Sequence, residues 1–207
     1  MSAAKRLVLW RHGQTTWNVE HRFQGQTDIP LDETGEAQAE QAARRLATLR
    51  PDAIFSSDLT RAQQTAAPLA RLTGLPVTLD KDLRERFGGV WEGLTDDEIR
   101  ERYPAELASW NPPNGEPGLA VADRVAGAFE RVAESLDDGQ LAVLVGHGAA
   151  LRIGMERFLG IFLEDTPILG GLTNCSWSVI QLRGGRRRLN EYNAGSLPEP
   201  VVIGDDQ

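Results

Sequence analysis

Two of the chain's three histidines stand immediately after an apolar run and beside a glycine, in Arg11-His12-Gly13 and Gly146-His147-Gly148. A third segment, Ser56-Ser57-Asp58-Leu59-Thr60-Arg61, follows the apolar run Ala53-Ile54-Phe55 in the same way. If those runs are parallel strands, ligands bind beyond their carboxyl ends. Arg11, His12, Arg61 and His147 then meet at one edge of a sheet. Two guanidinium forks and two imidazoles match the charge and geometry of a phosphate group. Helix N-termini after the same strands would add backbone N–H donors. Neighbouring positive charge keeps an imidazole neutral, and a neutral ring nitrogen can act as a nucleophile. Two histidines among cations, with no cysteine beside them, make a poor metal site. Each residue also has a plainer reading: a histidine at a strand end as a satisfied structural group, an arginine in a first helical turn as a surface ion pair. On the residues alone both readings stand, and only the joint placement favours phosphate.

The elements that must position these residues are visible in the hydrophobic pattern. Leu7-Val8-Leu9-Trp10 and Leu141 to Val145 are continuously apolar, as in strands buried on both faces of a parallel sheet. Ala39, Ala42, Ala43 and Leu46 predict a helix from Glu33 to Leu49, with Asp32 as its cap and Pro51 as its stop. A second helix is expected from Leu59 to Leu72, ended by Gly74 and Pro76, and then a short strand Val77-Thr78-Leu79. Residues 82–118 are rich in Gly, Pro, Glu and Trp, with one helix over Asp96 to Tyr103, and read as a binding loop or lid. Ala120 to Leu136 is helical, another helix begins near Ala149, and Ser176 to Leu182 with Arg187 to Tyr192 form a terminal hairpin. This alternation predicts an α/β fold with a mostly parallel central sheet, as one domain over residues 1–198 and a loose tail over 199–207.

The 207 residues carry 22 basic and 30 acidic side chains, a net charge of −8, which argues against nucleic acid as a partner. One cysteine, Cys175, supplies neither an internal disulfide nor a cysteine-rich zinc site. The apolar stretches are too short to span a bilayer, and the N-terminus lacks a signal-peptide cleavage pattern. A cytoplasmic enzyme without membrane association is expected.

Leu9-Trp10-Arg11-His12-Gly13-Gln14-Thr15-Thr16-Trp17-Asn18 resembles the Arg-His-Gly signature of the histidine phosphatase superfamily, which includes cofactor-dependent phosphoglycerate mutases. Leu31 to Ala39, Ser56 to Ala66, Leu83-Arg84-Glu85 with Gly89-Val90-Trp91-Glu92-Gly93, and Val145-Gly146-His147-Gly148 resemble further segments of that family in order. The resemblance implies a three-layer fold with helices on both sides of the sheet. It implies that His12 attacks phosphorus and forms a phosphohistidine that water hydrolyses. Arg11, Arg61 and His147 would hold the equatorial oxygens. Asn18, Gln24, Gly25 and Gly148 would add substrate contacts. Glu85 would protonate the leaving oxygen and then activate water, which requires a proton on a carboxyl that nearby arginines otherwise keep ionised. Without the motif, Glu85 reads as an ion-pair partner of Arg84 or Arg86. No metal and no cofactor are implied. Gly115-Glu116-Pro117 departs from the family's common Gly-Glu-Ser, which removes a hydroxyl from the lid. His21 lies outside the signature and is expected at the surface, Trp91 and Trp110 suit a pocket wall or core packing, and the arginines of Arg183 to Arg188 suit a solvated hairpin tip.

Within the family, mutases carry a longer segment after the acid loop and an Arg-His-Tyr-Gly run after the glutamate. Here Glu85 precedes Arg86-Phe87-Gly88-Gly89, which favours hydrolysis. Leu169 to Trp177, Leu189 to Asn193 and Arg22 to Asp28 resemble actinobacterial glucosyl-3-phosphoglycerate phosphatases, so a small phosphorylated metabolite of that kind is the expected substrate. A broad phosphomonoesterase, an α-ribazole-phosphate or sugar phosphatase, a mutase, and a non-catalytic scaffold for phosphorylated ligands are the alternatives. Ser176 to Leu182 is expected to lie at a sheet edge and to pair in a homodimer.

Overall fold

In the computed structural model, which describes residues 3–163 and 167–195, the first apolar run forms β1 (Lys5–Arg11). A single turn, α1 (Thr16–Val19), precedes α2 (Glu33–Ala47), β2 (Ala53–Ser56), α3 (Thr60–Thr73) and β3 (Val77–Leu79). The lid region holds two short 3-10 turns, Lys81–Leu83 and Gly89–Trp91, with α4 (Asp96–Arg102) and α5 (Pro104–Ala108). Regular alternation then resumes with α6 (Gly118–Ser135), β4 (Leu141–Gly146) and α7 (Gly148–Leu159), and β5 (Trp177–Arg183) and β6 (Arg186–Ala194) close the chain as a hairpin. Asp32 caps α2 by accepting from the Gly35 N–H at 2.8 Å, and Gly74 ends α3 in the left-handed conformation. No helix among the described residues is long and apolar enough to cross a membrane. The segment 199–207 lies outside the described residues.

The six strands run in the order β3-β2-β4-β1-β5-β6, with β1, β2, β3 and β4 mutually parallel and the hairpin antiparallel to them. Side chains alternate across the pleat. Val8, Trp10, Val143 and Val145 face the alanines and leucines of α2 and α3. Leu7, Leu9, Ala142 and Leu144 face Val125 and Phe129 of α6 and Leu151 and Met155 of α7. Burying both faces in this way is why the central strands read as continuous apolar runs.

One expectation is corrected. Ser176 to Leu182 does not form a sheet edge: β5 pairs with β1 from Lys5↔Leu182 to Trp10↔Trp177 and with β6 on its other side. The edges are β3 and β6. The polar composition of β6, with Arg186, Arg187, Arg188, Asn190 and Glu191, suits a strand with one side unpaired.

Register positions the site. Arg11 pairs with Gly146, and Trp10 and Ser56 both pair with Val145, so β1, β4 and β2 end level. The ladder continues one step further, with His12 N donating to Gly146 O at 3.0 Å and Ser57 N to Val145 O at 2.9 Å. His12, His147 and Ser57 therefore stand side by side. Gly13 then passes the first turn of α2 so closely that a Cβ there would lie 2.5 Å from Gly35 O.

Candidate active site

His12 is buried, and its Nδ1 lies 2.7 Å from the carbonyl oxygen of Gly13. A carbonyl only accepts, so Nδ1 carries the hydrogen and Nε2 keeps its lone pair. Burial, then the charges of Arg61 and Arg11, hold this imidazole well below the usual histidine range, against the opposing effect of the Gly13 bond. His147 lies with its ring centroid 5.2 Å from that of His12. Arg61 Nε donates to His147 Nδ1 at 3.2 Å, so the His147 hydrogen sits on Nε2, 2.9 Å from Ser57 Oγ. Burial and then the Arg61 charge keep His147 neutral as well.

Arg61 has no exposed surface. It donates through Nη1 to Thr27 O at 2.9 Å and through Nη2 to Gly25 O at 2.7 Å, which leaves one N–H on each terminal nitrogen. Burial lowers its pKa to about 10, still a cation at neutral pH. Arg11 donates from Nη1 to Leu172 O, and its Nε–H is buried with no hydrogen-bond partner among the described residues. Gly148 makes room for it, because a Cβ there would sit 3.3 Å from Arg11 Nε. A buried cationic donor left unpaired is costly unless an anion completes it.

Glu85 pairs with neither Arg84 nor Arg86 through its side chain. Its Oε1 accepts from the backbone N–H of Arg86 and Ala150, each at 2.8 Å, and its Oε2 accepts from Ala149 N at 3.1 Å. The carboxyl thus sits on the first turn of α7, directly after His147. Arg84 instead grips Asp58 with two 2.6 Å contacts, and Arg86 is buried against the carbonyls of Trp110 and Glu116. Arg124 ties the acid loop down, bonding the carbonyls of Asp82, Arg84 and Glu85 and both oxygens of Glu116.

Asn18 Oδ1 collects donors from Thr15 N, Thr15 Oγ1 and Asn174 Nδ2, so its own Nδ2 is turned away from them. Gln24 has a buried Oε1 with no partner, and Gly25 turns at φ 50° beside Glu92. The predicted residues are therefore brought together, with Asn18 on the single turn α1 and Gln24 and Gly25 on a loop around the strand ends. Sequence reasoning did not assign roles to Asn174, which bonds His12 O and Asn18, to Ser57, or to Glu92. Asn174 and Glu92 lie in quoted motifs, but nothing in their spacing pointed to these contacts.

Other residues fall outside the cluster. His21 is exposed in a left-handed turn, while Trp91 is fully buried and packs edge-on against Phe23 and Trp110. Pro117 occupies the N-cap of α6 with no side-chain cap bond, so the hydroxyl contact of the family pattern is missing here. Arg186 and Arg188 are exposed at the hairpin, but Arg187 folds back to Phe158 O at 2.6 Å. Among the described residues, no group of three or more His, Cys, Asp or Glu is placed to hold a metal ion.

Comparison with known proteins agrees with this geometry. The family model for the histidine phosphatase superfamily (branch 1) matches residues 7–195. The glucosyl-3-phosphoglycerate phosphatase of Mycobacterium tuberculosis is 41% identical over 223 aligned positions, covering 97% of this chain and 99% of that protein. The metal-independent phosphoserine phosphatase of Arabidopsis thaliana is 38% identical over 194 positions, covering 88% of this chain and 78% of that protein. A solved structure of a mycobacterial glucosyl-3-phosphoglycerate phosphatase in complex with VO3 superposes with a TM-score of 0.86 at 39% identity, covering 92% of this chain and 99% of that one. With a buried histidine lone pair, two converging arginines and a family match over nearly its whole length, the chain belongs to the histidine phosphatase superfamily.

Proposed function

We propose that this chain hydrolyses a small phosphorylated metabolite through a phosphohistidine on His12, and that glucosyl-3-phosphoglycerate is its substrate. The observation that carries the chemistry is the Nε2 lone pair of a buried His12 whose ring lies within the fields of Arg61 and Arg11. His12 Nε2 attacks phosphorus in line as the ester P–O bond breaks, and the Nδ1–H bond to Gly13 O stabilises the charge that develops on the ring. Arg61 and Arg11 stabilise the equatorial oxygens, and the Asn18 amide adds a donor. His147 orients Arg61 through Nδ1 and reaches a phosphoryl oxygen by exchanging its Nε2–H bond to Ser57. Glu85 gives a proton to the leaving oxygen from Oε2, the carboxyl oxygen with a single donor, and takes one back from the water that releases phosphate.

The substrate rests on the named relatives and on the Arg22 to Asp28, Leu169 to Trp177 and Leu189 to Asn193 segments. It is tested by phosphate release from glucosyl-3-phosphoglycerate, 3-phosphoglycerate and p-nitrophenyl phosphate, with a folded His12→Ala variant as control. Strong preference for the glucosyl ester, lost in the variant, is the expected result. Comparable slow hydrolysis of all three would discard that substrate and keep a broad phosphomonoesterase. Undiminished turnover by His12→Ala would remove the covalent mechanism. The reading extends to setting and assembly. A cytoplasmic setting belongs to it, and Cys175 is a buried thiol whose pKa burial pushes up to about 12, which keeps it unreactive. The open side of β6 offers a strand for a homodimer.

A further inference from the structure

Arg61, the cation most deeply buried at the site, is not held by a carboxylate. Its terminal nitrogens donate to two backbone carbonyls, Gly25 O at 2.7 Å and Thr27 O at 2.9 Å. Where those carbonyls stand decides where the guanidinium stands. The turn that carries them belongs to neither a helix nor a strand, so something else must fix it.

Gln26 Nε2 on Glu85 O at 3.1 Å and Asp28 on the N–H and hydroxyl of Thr60, each at 2.7 Å, tie its flanks, but the backbone N–H groups between the two gripping carbonyls are held by one side chain. Glu92 Oε1 accepts from Gln26 N at 2.8 Å and from Gly88 N at 3.0 Å. Glu92 Oε2 accepts from Thr27 N at 3.1 Å and from Thr27 Oγ1 at 2.6 Å. Each oxygen thus takes two donors, and three of the four come from the turn that grips Arg61. The packing is as close as a backbone permits: at Gly25, φ 50°, a Cβ would lie 2.0 Å from Glu92 Oε1. The carbonyl of Gly25 and the N–H of Gln26 belong to the same peptide group. One peptide plane is therefore clamped between the Glu92 carboxylate on its N–H side and the Arg61 guanidinium on its C=O side. A carboxylate on the N–H polarises the peptide and strengthens the carbonyl as an acceptor. Glu92 also acts on Arg61 through space, with Glu85 and Asp28, to offset the burial of its charge.

The geometry points to Glu92 as a positioning residue for phosphoryl transfer, which sets the place and charge environment of Arg61 through the Gly25–Gln26 peptide without touching the substrate. The inference rests on the reading that Arg61 holds the transferred phosphoryl group. It makes Glu92 different in kind from Glu85, although both lie in one loop. A group that acts through Arg61 affects every phosphoester alike and also affects a phosphate mimic. A group that serves the proton donor matters most for poor leaving groups.

The test uses the full chain with Glu92→Gln, which keeps volume but sets an amide N–H against backbone N–H donors. Thr27→Val, which deletes one hydroxyl donor, is the second variant. Each is assayed on p-nitrophenyl phosphate and on 3-phosphoglycerate, with vanadate inhibition, circular dichroism and a melting curve alongside. For Glu92→Gln the expected result is a fall in kcat/KM on the order of 10- to 100-fold. The fall is by the same factor on both substrates, with vanadate binding weakened in parallel and the folded spectrum kept. Thr27→Val shows the same pattern at a several-fold level. A loss confined to 3-phosphoglycerate with vanadate binding unchanged would overturn the inference, because Glu92 would then serve Glu85. Unchanged kinetics would overturn it too. If Glu92→Gln fails to fold, Thr27→Val decides, and unchanged vanadate binding there is the overturning result. The parent reading is scored separately, on vanadate inhibition of the unsubstituted chain and on inactivity of His12→Ala; its failure shows there and would take this inference with it.

Discussion

At the scale of single residues, burial among arginines is what makes an imidazole at this sheet edge chemically useful. Both His12 and His147 are held well below the usual histidine range by burial first and by Arg61 next. The unfolded chain, whose histidines titrate near about 6.5, therefore binds more protons than the folded chain as the pH falls below that value. The sign follows: the stability tied to these rings is complete above about pH 6.5 and is lost progressively as the pH drops toward the folded-state values. Asp58, held low by Arg84, adds a similar loss only at more acid pH. Activity follows a different course over the same interval, because the nucleophile stays neutral there. The acid limb of kcat/KM is expected to lie below about pH 6.5 while the melting midpoint is already falling. Parallel pH series of rate and melting temperature check this. A midpoint that rises on acidification, or an acid limb at the ordinary histidine value, would contradict it.

At the scale of elements, α7 is the support on which two candidate groups converge: it begins directly after His147, and its first N–H groups hold Glu85. Its position depends on a close crossing with α6, where a Cβ at Gly154 would lie 2.3 Å from Val125 Cγ1 and 2.8 Å from Val125 Cβ. Gly154→Ala gains about 1 kcal/mol of helix propensity but forces a stiff β-branched neighbour aside, at about 1–3 kcal/mol. The net expectation is destabilisation on the order of 1 kcal/mol, read as a lower urea midpoint; a higher midpoint would mean the helices separate freely. Much of this scaffold was legible in the sequence, for a physical reason. β1 and β4 are buried on both faces and so are continuously apolar, and α2 and α3 carry their alanines at helical spacing with Asp32 and Gly74 at the ends. The residues just past those runs could be read as a site without knowing the fold. What could not be read were contacts that depend on loop geometry. Glu92 reaches the Gln26 N–H across 66 positions with no periodicity to announce it. The one-turn helix α1 is too short to carry a period. The interior place of β5 follows from its pairing with β1, which its mixed pattern of polar and apolar residues did not reveal.

At the scale of the whole molecule, the sheet order decides what its surface offers. With β5 enclosed, only β3 and β6 present open edges among the described residues, and β3 is three residues long. A homodimer through the sheet would use β6 as the longer edge, and would have to set its arginine-rich strand against a copy of itself. Sedimentation velocity at micromolar concentration is expected to show a dimer, and substitution of Val179 on the enclosed β5 should affect folding rather than association. A species of single-chain mass throughout would exclude the dimer. The same order also governs how the chain is made. Of the six described strands β1 is made first, yet it lies between β4 and β5, the latter of which begins at Trp177. At about 5–20 residues per second, Leu7-Val8-Leu9-Trp10 waits roughly seven to twenty-seven seconds for β4 with both hydrogen-bonding edges open, and longer for β5 on its second edge. The wait has a compensating effect: His12 and His147 lie far apart in the sequence, so a chain released before β4 carries the candidate nucleophile without the strand that sets His147 beside it.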